Sequence, residues 1–160
     1  MKVDFYERIW LYAATGLIAA FLIALLTTAG LSAVHPSSHV ETIDPRTVRT
    51  ESEFATPGVE TLDDGSVLVV VVAELYQFRP EIVRVPAGVP VRFRLTSPDV
   101  IHGFQIAGTN VNAMVAPGYV SETTVTFDRP GEYLVVCNEY CGLSHHLMQG
   151  RVVVTGGEAP

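Results

Sequence analysis

Residues 67–78 read VLVVVVAELYQF, a β-branched apolar run with almost no alternation. A strand with one wet face alternates apolar and polar residues, whereas a continuous run is read as a strand covered on both faces. The segments that follow keep the strand character and change its pattern. In PEIVRVPAG (80–88), Ile82 and Arg84 lie on one face and Val83 and Val85 on the other, before a Pro-Ala-Gly turn. VRFRLTS (91–97) alternates cleanly, with Val91, Phe93 and Leu95 inward and Arg92 and Arg94 outward. TTVTF (123–127), closed by the turn DRPG, EYLVVC (132–137) and GRVVVTG (150–156) complete the set. Short strands separated by Pro/Gly turns, with no helical period among them, predict an all-β domain, an antiparallel sandwich or barrel.

Ahead of the strands, residues 9–34 run for 26 positions without a charge. About 20 apolar residues cross the hydrocarbon core, so this stretch is long enough to span with some tilt. A buried core helix would show a polar face over such a length, and a signal peptide would have a shorter apolar core. An uncleaved anchor is therefore expected. Lys2 and Arg8 precede the span, and no Lys or Arg follows it before Arg46. The positive-inside rule then puts the N-terminus in the cytoplasm and the remainder on the far side of the cell membrane. Residues 35–66 are rich in Pro, Ser, Thr and acids and lack periodicity, which predicts a tether with at most one short strand. The expected organisation is an anchor (1–34), an extracytoplasmic tether (35–66) and a β domain (67–160). The part beyond the anchor holds all of the net charge of −7, which disfavours a nucleic-acid partner and would steer a cationic protein.

The chemistry concentrates in CNEYCGLSHHLM (137–148). An exported domain with two cysteines often pairs them, but a disulfide closing so small a loop constrains the unfolded chain little. It would also leave His145, His146 and Met148 without a role. Thiolate, imidazole and thioether together select copper over magnesium or calcium. A single blue-copper centre uses one Cys, two His and an axial Met, and here one Cys is spare. Zinc accepts two Cys and two His but has no use for Met148. Two thiolates four residues apart at a strand-to-strand turn can instead bridge two metal ions, each of which needs an imidazole. His102, in SPDVIHGFQIAG (97–108), follows the strand at 91–97 and is the natural second imidazole.

The loop matches C-x-E-x-C-x-x-x-H-x-x-M and so resembles the binuclear copper signature of cytochrome c oxidase subunit II. SPDVIHGF is similar to that family's first-histidine segment. A single span, with IDPRTVR in the tether, looks like the B-type branch of the haem–copper oxidases. The resemblance implies a cupredoxin-like Greek-key domain in which Cys137 and Cys141 bridge two coppers. One copper would add His102 and Met148; the other would add His145 and the carbonyl of Glu139. His145 stands at the ligand position and His146 one residue too late, which leaves His146 facing solvent or supporting the ligands from behind. In many members the carboxylate at Glu139's position also helps hold a magnesium ion against subunit I, while B-type relatives often lack that acid; the alternative is a solvated carboxylate.

The function implied is acceptance of electrons from cytochrome c or a cupredoxin and their delivery to the haems of subunit I, where oxygen is reduced. Tyr76, Phe78 and Tyr140 are candidates for an aromatic docking surface, with plain packing as the competing reading. A copper carrier would need ligands that release metal, and a tethered binding module with a structural disulfide would hold no copper.

Overall fold

The computed structural model describes residues 4–31, 41–50 and 52–156. The first part of the expected tether, with His35 and His39, lies outside the described residues. The chain divides into two compact units, residues 1–39 and residues 40–160.

In the first unit, helix α1 (Phe5–Leu31) is long and apolar enough to cross a membrane. Two of its hydroxyls are satisfied within the helix. The Thr27 hydroxyl donates to the Ile23 carbonyl and that of Thr28 to the Ala24 carbonyl, the arrangement by which hydroxyls are tolerated in an apolar surround.

The second unit is a β-sandwich. One sheet runs in the order β1 (Gly58–Thr61), β2 (Val67–Glu74), β5 (Pro90–Thr96), β8 (Ser121–Thr126), with β3 (Gln77–Arg79) folded back on β2. The other runs β4 (Ile82–Pro86), β10 (Gln149–Thr155), β9 (Gly131–Val136), β6 (His102–Ile106), β7 (Asn112–Val115). Inward side chains of both sheets, among them Val69, Phe93, Phe104, Ile106, Val135 and Val152, form one core. The expected alternation holds: Val83 and Val85 are buried while Ile82 and Arg84 are exposed, and Val91, Phe93 and Leu95 are buried.

The structure departs from the sequence reading at four places. The sheets are mixed rather than antiparallel, because β2 pairs in parallel with β5 and β4 with β10. Each of these parallel partners is reached by a connection that crosses to the other sheet and back, a route that strand composition does not encode. The run 67–78 is two strands, β2 and β3, since the chain turns at Leu75 and Tyr76. β6 and β7 are strands that the pattern does not announce; β6 is nearly buried on both faces and so carries no alternation.

The fourth departure is the tether. Residues 41–50 and 52–61 pack on the domain: Glu41 and Ile43 bond to the backbone of residues 118–120, and β1 pairs with β2. Val48 and Phe54 are buried against Val70 and Val72 on the outer face of β2. The continuous apolar run demanded cover on both faces, and this segment provides the second cover. Arg94, on the outer face of β5, binds it further through Glu41 and Glu53, both at 2.6 Å, and pairs with Glu122 of β8 at 3.2 Å. Glu41, and after it Glu53, hold the guanidinium protonated above its ordinary range against the opposing cost of its burial.

Candidate metal centre

The site forms where β9 and β10 leave the sheet. Cys137 follows β9 directly, and its N–H donates to the Met148 carbonyl at 3.2 Å, so the ladder continues one step and then opens into the loop 138–148. A single 3-10 turn (His145–Leu147) closes that loop. The His145 N–H donates to the Gly142 carbonyl, and the Met148 N–H to the His145 carbonyl. The turn aims His145 back at the cysteines and returns Met148 to the core.

The donors converge. Cys137 Sγ and Cys141 Sγ are 3.8 Å apart; both thiols are free, well beyond the ~2.05 Å of a disulfide bond. His102 Nδ1 lies 3.9 Å from Cys137 Sγ, and His145 Nδ1 lies 3.6 Å from Cys141 Sγ. Met148 Sδ is 3.7 Å from Cys141 Sγ, and the Glu139 carbonyl oxygen is 3.2 Å from Cys137 Sγ. All six residues singled out in the sequence thus meet one or other sulfur. His102 Nδ1 or Nε2, Cys137 Sγ and Cys141 Sγ form a buried group within 4.8 Å of one another. Two sulfurs flanked by imidazole, thioether and carbonyl are a donor set suited to copper. Burial and the neighbouring Cys137 push the Cys141 thiol up to about 11. A soft cation that displaces both thiol protons would relieve that crowding.

Around the donors the site is dry on one side and open on the other. His102 is fully buried, and Cys137, Cys141 and Met148 are nearly so. Beneath them Phe104 contacts Phe78 edge-on and Phe93 at a tilt, with centroids 5.4 and 5.5 Å away. On the outer side Tyr140 is 76 %, Leu143 87 % and Leu147 65 % exposed. His146 is exposed, as expected, and so is Glu139. Of the three aromatic residues considered for docking, Phe78 is instead buried in the core, because β3 turns it under the sheet. Tyr76 is half-buried and Tyr140 stands free of the surface, its ring 5.8 Å from that of His145.

Three residues that sequence reasoning passed over shape the site. His102 opens β6, whose second residue, Gly103, lies flat against the loop. A Cβ there would fall 2.8 Å from the backbone nitrogens of both Asn138 and Glu139. Gly142, at φ +136°, is covered by the Tyr76 phenol, which a Cβ would meet at 2.7 Å. Asp99 accepts from the Leu75 N–H at 2.8 Å and the Val100 N–H at 2.6 Å, and lies 2.9 Å from His102 Nε2. Burial opposes ionisation of Asp99, but His102 and these amides outweigh it and hold the carboxyl below its usual range. The available signal was the H-G-F tripeptide and an acid three residues before the histidine.

Comparison with known proteins gives a consistent answer. The profile of the family "Cytochrome C oxidase subunit II, periplasmic domain" matches residues 61–155. One cytochrome c oxidase subunit 2 of Thermus thermophilus is 42 % identical over 153 residues, covering 93 % of this chain and 91 % of the relative. Another from Thermus thermophilus is 46 % identical over 129 residues, covering 79 % of this chain and 93 % of the relative. Among solved structures, a chain of a haem–copper terminal oxidase dimer determined by cryo-EM aligns with a TM-score of 0.66 at 30 % identity. It covers 94 % of this chain and 99 % of its own length. The periplasmic domain of subunit II of Bradyrhizobium japonicum cytochrome oxidase shares the fold at 18 % identity, with a TM-score of 0.52 over 63 % of this chain and 88 % of that one. The chain, with its cupredoxin-like β domain and its cluster of two cysteines and a histidine, belongs to the cytochrome c oxidase subunit II family.

Proposed function

We propose that this subunit of a haem–copper oxidase carries a binuclear copper centre and takes electrons one at a time from cytochrome c or a similar donor. The observation that carries the reading is the meeting of four further donors, two imidazoles, a thioether and a carbonyl, around two free sulfurs 3.8 Å apart. Cys137 and Cys141 would bridge the pair. His102 and Met148 would complete one ion, and His145 with the Glu139 carbonyl the other. When bound, the copper pair supplies a one-electron couple whose change in charge is spread over two ions. The chain's part is to hold these ligands so that little moves on reduction. Cys137 is fixed by its ladder bond to Met148, and Phe78, Phe93 and Phe104 keep water from the inner side.

Electrons would enter across the exposed rim of Tyr140, Leu143 and Leu147 and leave for the haems of subunit I. The acidic balance of the domain favours a cationic donor. Helix α1 would anchor the chain in the plasma membrane with the β domain on the periplasmic side. The exposed Glu139 carboxylate makes no hydrogen bond or ion pair among the described residues and would serve a magnesium ion at the face shared with subunit I. Loss of magnesium from the purified complex on Glu139→Gln is the expected result; unchanged magnesium content removes that role.

The function is tested by stopped-flow mixing of the oxidase complex with reduced cytochrome c. The copper absorption should bleach before any haem of subunit I is reduced, and the Cys141→Ser complex should lose both fast phases. Haem reduction at an unchanged rate in Cys141→Ser would place electron acceptance elsewhere.

A further inference from the structure

We infer that Asp99 is a positioning residue: it selects the ring nitrogen that His102 presents to the two sulfurs and sets the potential of the centre. The inference rests on the copper reading above for its consequence, but not for its geometry.

His102 is fully buried, so its ring is oriented by protein groups alone. Nε2 lies 2.9 Å from Asp99 Oδ1, and Nδ1 lies 3.9 Å from Cys137 Sγ. The same carboxylate takes the Val100 N–H on Oδ1 and the Leu75 N–H on Oδ2, with Ser97 Oγ 3.0 Å from Oδ1. A carboxylate surrounded by amide donors acts as an acceptor. The hydrogen between it and His102 therefore sits on Nε2, which leaves the Nδ1 lone pair directed at the sulfurs. Carboxylate, imidazole and metal in line is the arrangement that fixes a tautomer and raises ligand basicity.

The placement of Asp99 does not depend on the histidine segment alone. Leu75 belongs to the turn after β2, in the opposite sheet, and the next residue, Tyr76, lies over Gly142 beside Cys141. One turn thus holds the carboxylate behind His102 and covers the loop beside Cys141. A negative charge behind the imidazole favours the more oxidised, more positive state of a bound couple, so neutralising Asp99 raises the potential.

The test uses the full chain in detergent with Asp99→Asn. Asparagine keeps the shape and can still accept the Leu75 N–H, but its amide can donate to Nε2 and so reverses the tautomer. In the copper-free, reduced chain labelled with ¹⁵N-histidine, long-range ¹H–¹⁵N correlation should show His102 protonated on Nε2 in the wild type and on Nδ1 in Asp99→Asn. With copper, Asp99→Asn should bind ~10–100-fold more weakly and show a raised reduction potential. A role confined to knitting the loop would leave tautomer and potential unmoved, and that result overturns the inference. If Asp99→Asn does not fold, the wild-type tautomer still decides: a proton on His102 Nδ1 overturns it. A chain that binds no copper yet shows the reversal keeps Asp99 as the positioning group and loses the copper reading. A chain that binds copper without the reversal does the opposite.

Discussion

Two irregular segments flank the same sandwich and are irregular for different reasons. The loop 138–148 departs from β structure because Cys141, His145 and Met148 turn inward to meet Cys137 and, through it, His102, each group in contact with one of the two sulfurs. Residues 41–50 and 52–57 are irregular because their task is cover. They present Val48 and Phe54 to one face of β2 and carboxylates to Arg94, and elsewhere they stay in water. The first segment is specified by chemistry that lies close together in sequence. The second is specified by what it covers, tens of residues away. Damage to the loop should therefore remove function and spare the fold, and damage to the cover should do the reverse.

The largest expected effect is on the loop. Cys137→Ser should abolish the binuclear signal while the copper-free chain unfolds within about 1 kcal/mol of the wild type, since a buried thiol becomes a hydroxyl of similar size. Absorption spectra and urea unfolding would check the two halves of that statement. Phe54→Ala is the mirror experiment. It opens a cavity beside Val48, Val70 and Val72 and should cost about 3 kcal/mol in urea unfolding, with the copper spectrum unchanged. A spectrum that shifts with Phe54 would break the separation of the two regions. Arg94→Ala leaves Glu41, Glu53 and Glu122 facing one another; after discount for their exposure it should cost about 1 kcal/mol, less at high salt. The smallest effect is that of pH on copper uptake. Cys141 is pushed up to about 11, so below that value copper must displace its proton. Apparent affinity should accordingly rise with pH towards 11, with proton release on binding; titration calorimetry in buffers of different ionisation heat would measure it.

The same contrast explains what could be read from the sequence. The thiols, the imidazole pair and the thioether of 137–148 were legible because they fall within twelve positions and because donor types restrict the metal, whereas the Glu139 carbonyl and the choice of His145 over His146 came only from the resemblance to the family signature. His102 was legible through the demand those five create. The strands were legible where one face is wet, as at Val83 and Val85 or at Phe93 and Leu95. The cover was not, because Val48 and Phe54 sit singly among polar residues and acquire meaning only against Val70 and Val72. β6 was missed for a related reason: His102, Gly103 and Phe104 are all buried, so no alternation marks it. Asp99 was missed because its partner Leu75 lies 24 residues away and contributes only a backbone N–H.

The most direct measurement counts copper in the full chain, loaded under mild reductant in detergent, and records its electron paramagnetic resonance. The account predicts two coppers per chain and a hyperfine pattern from one electron shared by both nuclei. One copper per chain with hyperfine structure from a single nucleus would contradict it.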